Sequence, residues 1–462
     1  MKKIRIWTLR IFSIVFIIFC VFISNTNNEP SSAVVVGNMN KNFLVVISID
    51  ALNAKDFETM QTLPNFKKLI EEGSYAQKVT GVYPTLTYPS HTSLMTGTYP
   101  DKHGIYNNKK NEIGTKNPDW YWNAKDIKVP TLYDIAEEKG MKVGSLAWPV
   151  TAGAKIDYNY PEIWTMTSDE NEEELIKENG TSKFVAFLRK TFGSNLKERK
   201  QPELDDFISN SAVYLIKNKT PELTLVHLTE LDSKRHGYGV DAPIVKEALK
   251  KQDMRVGKII EAVRERGIYN NTTFVILGDH GFMNVQYKSN INVALRKAGF
   301  IKTDSKGNII SWKAIVDACD GSAYVYLKDK GDKSTKEKVE ALLNSYKKED
   351  KFGVEEVYNK QDIEKFRANP KADYMLEAKE GYFFSNDWQG DEVIEKSKAL
   401  GTHGYSPYKP NYNTFFLASG AKAKKGIVLS NINLVDEGPT MAKFLDITMD
   451  KVDGKVLKEF LK

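Results

Sequence analysis

Six histidines occur in 462 residues, and three of them stand beside an acid or in a glycine-flanked turn: Asp232 with His236, Asp279 with His280, and His403 in Gly401-Thr402-His403-Gly404. Asp232 and His236 are spaced i, i+4, which on a helical turn puts carboxylate and imidazole on one face, as a metal site or an acid/base pair requires. The same spacing also makes an ordinary surface ion pair worth about 0.2–0.5 kcal/mol. Asp50 follows the apolar run FLVVISI, and Asp279 and His280 follow TFVILG. All three therefore sit where parallel strands deliver residues to the C-terminal edge of a sheet, the edge at which ligands collect. Taken singly, each of these acids could be no more than a turn former or helix cap.

The stretch Gly81–Asn108, GVYPTLTYPSHTSLMTGTYPDKHGIYNN, holds the candidate nucleophiles Thr85, Thr87, Ser90, Thr92 and Ser93. Proline is tolerated in a first helical turn, so Pro89 places Thr87 just before a helix N-terminus, where free N–H groups and the dipole favour an anion. Hydroxyls in such turns otherwise cap the helix or bond the backbone. A threonine hydroxyl is inert at neutral pH unless a metal takes up its developing charge, and a second metal about 4 Å away can orient a phosphoryl oxygen or stabilise a leaving oxygen. Cys20 and Cys319 stand alone, so any metal must be held by His, Asp and Glu. His91 and His103 read as structural, bonding backbone near the nucleophile turn, and His227 reads as core. Tyr88 either stacks on a leaving-group base or packs. Trp120, Tyr121 and Trp122 line a pocket or fill the core, and Trp148 reads as core.

The elements that must position these residues are legible as apolar runs at Phe43–Ile49, Lys142–Ala147, Leu223–Leu228, Thr273–Leu277 and Thr414–Ala418, separated by helical patterns. Such alternation predicts an α/β fold with a mostly parallel sheet covered on both faces. Leu63-Pro64-Asn65 opens one helix, and another runs from about Val245 to Arg266. Between Tyr287 and Ala399 the texture changes to Lys-rich helices and a DACDGSAYVYL strand pattern, which predicts an inserted cap. The boundaries expected are a core over 40–286, a cap over 287–399 and a second part of the core over 400–462.

A hydrophobic share of 41% and a charged share of 27%, with 30 glycines and 16 prolines, exclude collagen-like, disordered and polytopic membrane classes. Lys2, Lys3, Arg5 and Arg10 precede an apolar stretch, Ile11–Ile23, followed by polar residues. That is the layout of an export signal over 1–33, and the stretch falls short of the roughly 20 residues of a membrane span. The expectation is an exported protein that meets a membrane only through this segment, if it stays uncleaved. Removal after Ala33 takes the formal charge from +6 to +3. Without a Lys/Arg block, that balance predicts no duplex nucleic acid partner.

Asp50 after a strand, PTLTYPSH followed by TGTYPDKHGIYNN, then D…H, GDHGF and GTHGY together resemble the nucleotide pyrophosphatase/phosphodiesterase (type I phosphodiesterase) branch of the alkaline phosphatase superfamily. The likeness runs from Phe43 to Leu461. It implies a three-layer sandwich with a mostly parallel central sheet and an inserted α+β cap domain. It further implies that Thr87 is the nucleophile and that Asn108 hydrogen-bonds a phosphoryl oxygen. Two zinc ions per chain are implied, one on Asp50, Asp279, His280 and Thr87, the other on Asp232, His236 and His403. The chain departs from the family pattern D..GH..GP, with Arg235 before His236 and Val240 after Gly239.

The function implied is an exported, metal-dependent phosphodiesterase or nucleotide pyrophosphatase that forms a covalent threonine intermediate with a small phosphodiester or nucleotide substrate. Two Zn²⁺, three aspartates and a Thr87 alkoxide leave a nearly neutral centre suited to a singly charged diester. A dianionic monoester would want a further cation, for which Lys234 and Arg235 are the candidates. Phosphonoacetate-type C–P cleavage or phosphomonoester hydrolysis at the same site is the alternative, and a zinc-stabilised binding protein without turnover is the alternative from another class.

Overall fold

Apolar alternation places one set of side chains on each face of the central sheet. In β1 (Phe43–Ile49), Val45, Ile47 and Ile49 enter one core while Leu44 and Val46 enter the other. The sheet continues with β2 (Gly73–Thr80), β3 (Val143–Leu146), β4 (Tyr158–Tyr160), β5 (Leu223–Leu228), β6 (Thr272–Leu277) and β7 (Thr414–Gly420). Val226 and Leu228 of β5, Phe274 and Ile276 of β6, and Phe415 and Leu417 of β7 join the first core, and their sequence neighbours join the second. A strand buried on both faces reads as an unbroken apolar run, which is why these runs were visible in the sequence. The computed structural model describes residues 41–115, 118–165, 171–196 and 200–462, so the expected export segment over 1–33 lies outside the described residues.

The strand order is β2-β7-β6-β1-β5-β3-β4, with two two-residue strands pairing beside β2. β1 runs parallel to β5 and β6, and β3 runs parallel to β4 and β5. β7 departs from the parallel pattern, since it lies antiparallel between β2 and β6. Its run TFFLASG resembles the parallel ones because it is equally buried on both faces.

Helices α1 (Pro64–Glu72), α2 (Thr87–Thr96), α3 (Leu132–Glu138), α4 (Glu203–Asn218), α5 (Glu230–Tyr238), α6 (Pro243–Glu265) and α7 (Glu437–Phe444) supply the outer layers. Phe66 and Leu69 of α1, Phe207 and Ala212 of α4 and Val256 and Ile259 of α6 fill the first core. Leu94 and Met95 of α2, Leu132 of α3 and Met441 and Phe444 of α7 fill the second. Each such apolar side chain contributes about 1.5–3 kcal/mol on full burial. The result is a three-layer α/β sandwich.

Between β6 and β7 the chain builds further sheets. Strands 314–319, 322–327, 374–378 and 354–358 pair antiparallel in that spatial order. Their core also takes in Tyr83 and Leu86, from the loop before α2. Glu377 accepts hydrogen bonds from Tyr83 Oη and from Ser406 N at 3.1 Å, which ties this sheet to the residues flanking both Thr87 and His403. Gly404 has φ +85°, and a Cβ there would overlap Cys319 O, so only glycine permits this approach.

Glu437, at the start of α7, is fully buried, and neither carboxyl oxygen has a hydrogen-bond partner among the described residues. Burial pushes its pKa well above the ordinary carboxylate range, and Asp436 adds to the shift. A carboxyl whose folded pKa is raised loses stability for the fold as pH climbs from the ordinary carboxylate pKa through the raised one. Glu437→Leu is therefore expected to stabilise the protein by about 1–3 kcal/mol near neutral pH, and by less at about pH 4.5, in thermal unfolding. A variant no more stable than the parent at neutral pH would overturn this.

Candidate functional site

Parallel strands bring the site together at one edge. Asp50 follows β1, Thr229 and then α5 follow β5, and Asp279 and His280 lie just past β6. Gly278 must be glycine here, because a Cβ would overlap Leu52 O. Ala51 takes φ 65°, a left-handed conformation that a Cβ-bearing residue adopts at a cost, and its N–H donates to Asp279 Oδ1 at 3.0 Å. His403 directly follows the two-residue strand Gly401–Thr402.

Three histidines share one arrangement. Nδ1 of His236 bonds Gly401 O at 3.0 Å, that of His280 bonds Gly281 O at 3.1 Å, and that of His403 bonds Thr85 O at 3.2 Å. A carbonyl can only accept, so each Nδ1 carries a proton and each Nε2 is the nitrogen turned toward the aspartates, the arrangement of a metal-ligating histidine once Nε2 gives up its own proton. His236 Nε2 lies 3.4 Å and His403 Nε2 3.9 Å from Asp232 Oδ1. His280 Nε2 lies 3.0 Å from Asp50 Oδ1, 3.3 Å from Asp279 Oδ2 and 3.3 Å from Thr87 Oγ1. The rings of His280 and His403 stack at 3.7 Å.

The donor set fits divalent cations. Asp50 Oδ1, Asp232 Oδ1 and Asp279 Oδ2 are buried without a hydrogen-bond partner among the described residues. Among the described residues, two groups have ligand atoms within 4.8 Å of one another: Asp232, His236 and His403, and Asp50, Asp232 and His280. The first is the set expected for one ion. In the second Asp232 stands where Asp279 was expected, while Asp279 keeps one oxygen on Ala51 N and turns the other toward His280.

The electrostatics show the strain of this crowding. Burial pushes the Asp279 carboxyl up to about 7, reinforced by the Asp50 charge. Burial opposes charge on His280 and His236, yet Asp279 and Asp50 hold the first, and Asp232 the second, at about 9. Burial, followed by repulsion from His280 and His236, keeps His403 neutral.

Thr87 is the first residue of α2, one position further into the helix than expected, and its hydroxyl faces the site. Asn108 Oδ1 accepts from Tyr88 N at 2.9 Å, which leaves its Nδ2 donor for the adjoining cavity. Asn107 holds this turn by accepting from Asn108 N at 2.8 Å and donating to Ala318 O at 3.0 Å. His91 donates to Thr87 O at 2.8 Å and lies 2.8 Å from Ser48 Oγ; His103 contacts Ser93 Oγ and Ile105 N. Both contact backbone near the nucleophile turn, as expected, and His91 Nδ1 also lies 3.5 Å from Asp279 Oδ2. Of the rival nucleophiles, Thr85 bonds Tyr405 O and Thr92 bonds Tyr88 O, while Ser93 meets His103.

The cavity beside Thr87 has a volume of about 470 Å³, with Trp120 and Trp164 among its walls. Tyr88 is fully buried and packs on Trp120 at 5.3 Å, so it packs instead of stacking on a ligand. Trp148 is core. Arg235 is also withdrawn, bonded to Ala51 O and to Asp56 Oδ1 at 2.7 Å.

His227 is more than core. Its Nε2 lies 3.2 Å from Asp50 Oδ2 and its Nδ1 2.9 Å from Glu162 Oε2. Burial opposes its charge, but Glu162 and Asp50 together raise its pKa well above the ordinary value, and the chain Glu162–His227–Asp50 braces the carboxylate from behind. The available signal was parity: His227 alternates with Leu223 and Leu225, on the face that meets α2, next to the strand end. Removing such a bracing partner weakens metal binding about 10- to 100-fold. His227→Ala is expected to do so in chelator competition, with His227→Gln recovering part of the loss; unchanged affinity in His227→Ala would overturn this role.

Comparison with known proteins adds a family. The model of the family "Type I phosphodiesterase / nucleotide pyrophosphatase" matches residues 44–406. The chain is 27% identical over 250 residues to ectonucleotide pyrophosphatase/phosphodiesterase family member 3 of Bos taurus, covering 52% of this chain and 24% of the relative. It is 26% identical over 254 residues to venom phosphodiesterase 2 of Crotalus adamanteus, covering 52% and 27%. The matched stretch thus spans about a quarter of the length of these relatives. Among solved structures, an inactive variant of murine ectonucleotide pyrophosphatase/phosphodiesterase 5 in complex with AMP superposes with a TM-score of 0.64 at 19% identity, covering 91% of this chain and 100% of that one. That likeness establishes a shared fold.

Proposed function

Since the chain belongs to the type I phosphodiesterase / nucleotide pyrophosphatase family, we propose that it is an exported hydrolase of phosphodiester or phosphoanhydride bonds in small nucleotides, working through a phosphorylated Thr87. The observation that carries this reading is the set of three inward Nε2 atoms around unpartnered aspartate oxygens, with Thr87 Oγ1 3.3 Å from His280 Nε2. In our reading Asp50, Asp279, His280 and Thr87 hold one zinc ion and Asp232, His236 and His403 the other. When bound, such ions lower the pKa of coordinated hydroxyls and stabilise charge on phosphoryl oxygens.

The chain's own residues supply the rest. Thr87 presents its hydroxyl at the cavity, and its oxygen bonds to phosphorus as the leaving group departs. Water then cleaves the ester and restores the hydroxyl. Asn108 Nδ2 donates to a non-bridging oxygen, held in aim by Tyr88 N and Asn107. Trp120 and Trp164 give the cavity aromatic walls suited to a base, which agrees with the AMP carried by the murine relative. Residues 287–399 form, in this reading, a cap inserted into a core of 40–286 and 400–462, and residues 1–33 serve export.

Hydrolysis of bis-p-nitrophenyl phosphate against p-nitrophenyl phosphate tests the reading. A diester preference is expected, abolished by a chelator and restored by zinc. Thr87→Ala is expected to lower kcat by at least about 10³-fold. A monoester preference, or activity that survives Thr87→Ala, would overturn it. Asn108→Ala is expected to cost about 10²–10³-fold in kcat, as loss of an oxyanion donor does, in the same assay; an unchanged kcat would remove Asn108 from this role.

A further inference from the structure

We infer that Asp320, brought to the ligand cluster by the segment between β6 and β7, is a specificity-determining residue whose carboxylate opposes phosphates carrying a second negative charge; this rests on the hydrolase reading above. Asp320 and Gly321 form the two-residue connection between strands 314–319 and 322–327, where Cys319 pairs with Ser322. That turn is packed directly on the residues around His403. Gly321 N donates to His403 O at 2.8 Å, and Cys319 O fills the space that a side chain at Gly404 would need. Asp320 O accepts from Phe384 N at 2.7 Å, so backbone contacts fix the residue in place. Its φ of 56° is left-handed, which aspartate and asparagine tolerate better than most residues but still adopt at a cost.

The carboxylate held there is not spent on the fold. It is half-buried, and its oxygens make no hydrogen bond or ion pair among the described residues. Burial raises its pKa, His236 and Lys109 lower it, Asp232 raises it and His280 lowers it, so the charges it faces are those of the ligand cluster and of the residue after Asn108. Lys109 does not neutralise it, since Nζ lies 5.7 Å over the Trp120 ring and forms no ion pair with Asp320. Two divalent ions matched by Asp50, Asp232, Asp279 and an ionised Thr87 hydroxyl make a nearly neutral centre. A further carboxylate beside that centre then acts on whatever charge the substrate brings. A diester carries one negative charge at the reacting phosphate and a monoester two. Asp320 therefore opposes the monoester about twice as strongly, in a setting where each charge counts for more than in water.

The test compares kcat/KM for p-nitrophenyl phosphate and bis-p-nitrophenyl phosphate in the parent, Asp320→Asn and Asp320→Gly, at about pH 8, where a phosphate monoester is dianionic. Both replacements accept the left-handed φ and remove only the charge, so an aspartate that merely forms the turn is replaced without consequence for selectivity. The ratio of monoester to diester is expected to rise about 10-fold in both variants, and calorimetric binding of inorganic phosphate to the zinc-loaded protein to tighten by a similar factor. Damage to the hairpin does not produce such a gain. An unchanged or lower ratio, or phosphate binding that does not tighten, overturns the role whichever substrate the parent prefers. The parent's own preference judges the hydrolase reading separately. If the parent hydrolyses neither substrate, that reading fails and phosphate binding alone decides: tighter binding by Asp320→Asn supports the role, and equal or weaker binding overturns it.

Discussion

The constraint on which this structure turns is the presence of three aspartates at one buried sheet edge. Asp50 and Asp279 are both removed from water, with His280 Nε2 about 3 Å from an oxygen of each. Like charges at that depth repel strongly, and isolated buried carboxylates take up protons instead. The edge therefore requires compensating positive charge. Without metal, protons on His280, His236 and His227 provide it; the inward lone pairs of the neutral imidazoles provide for a cation instead.

Everything around the edge serves to keep those groups from relaxing apart. Backbone carbonyls of residues 85, 281 and 401 fix the three imidazole rings. The left-handed turn at Ala51 and the absence of a side chain at Gly278 bring the ends of β1 and β6 close enough for their acids to share His280. Strain of this kind persists only where surrounding structure over-determines it. Here that structure is the sheet, whose strands are packed on both faces, and the segment between β6 and β7, which reaches back to Asn107 and to Tyr83.

Much of this was legible in the sequence, for a physical reason. Doubly buried strands must be apolar throughout, so the runs ending at Ile49 and Leu277 announced both the sheet and the positions of Asp50, Asp279 and His280. The i, i+4 spacing announced Asp232 with His236. What could not be read was anything fixed by contacts distant in sequence. The antiparallel course of β7 depends on the path of the preceding segment, and Glu162 meets His227 only because β3 runs beside β5 and β4 beside β3. His227 itself was hidden by the apolar residues around it, although period-two alternation put it on the face of the site.

Lys234 and Arg235 show why residue type alone underdetermines a role. Adjacent side chains on a helix diverge by about 100°, so two neighbouring cations cannot both face one cavity. Asp56 and Ala51 O fix which of the two turns inward to the fold. Once Arg235 is bound there, it ties α5 to the loop after β1, holding Asp232 and Asp50 in register. The departure from the family pattern at Arg235-His236 thus leaves His236 Nε2 3.4 Å from Asp232 Oδ1. Lys234, on the other side of the helix turn, lines the cavity beside Thr87.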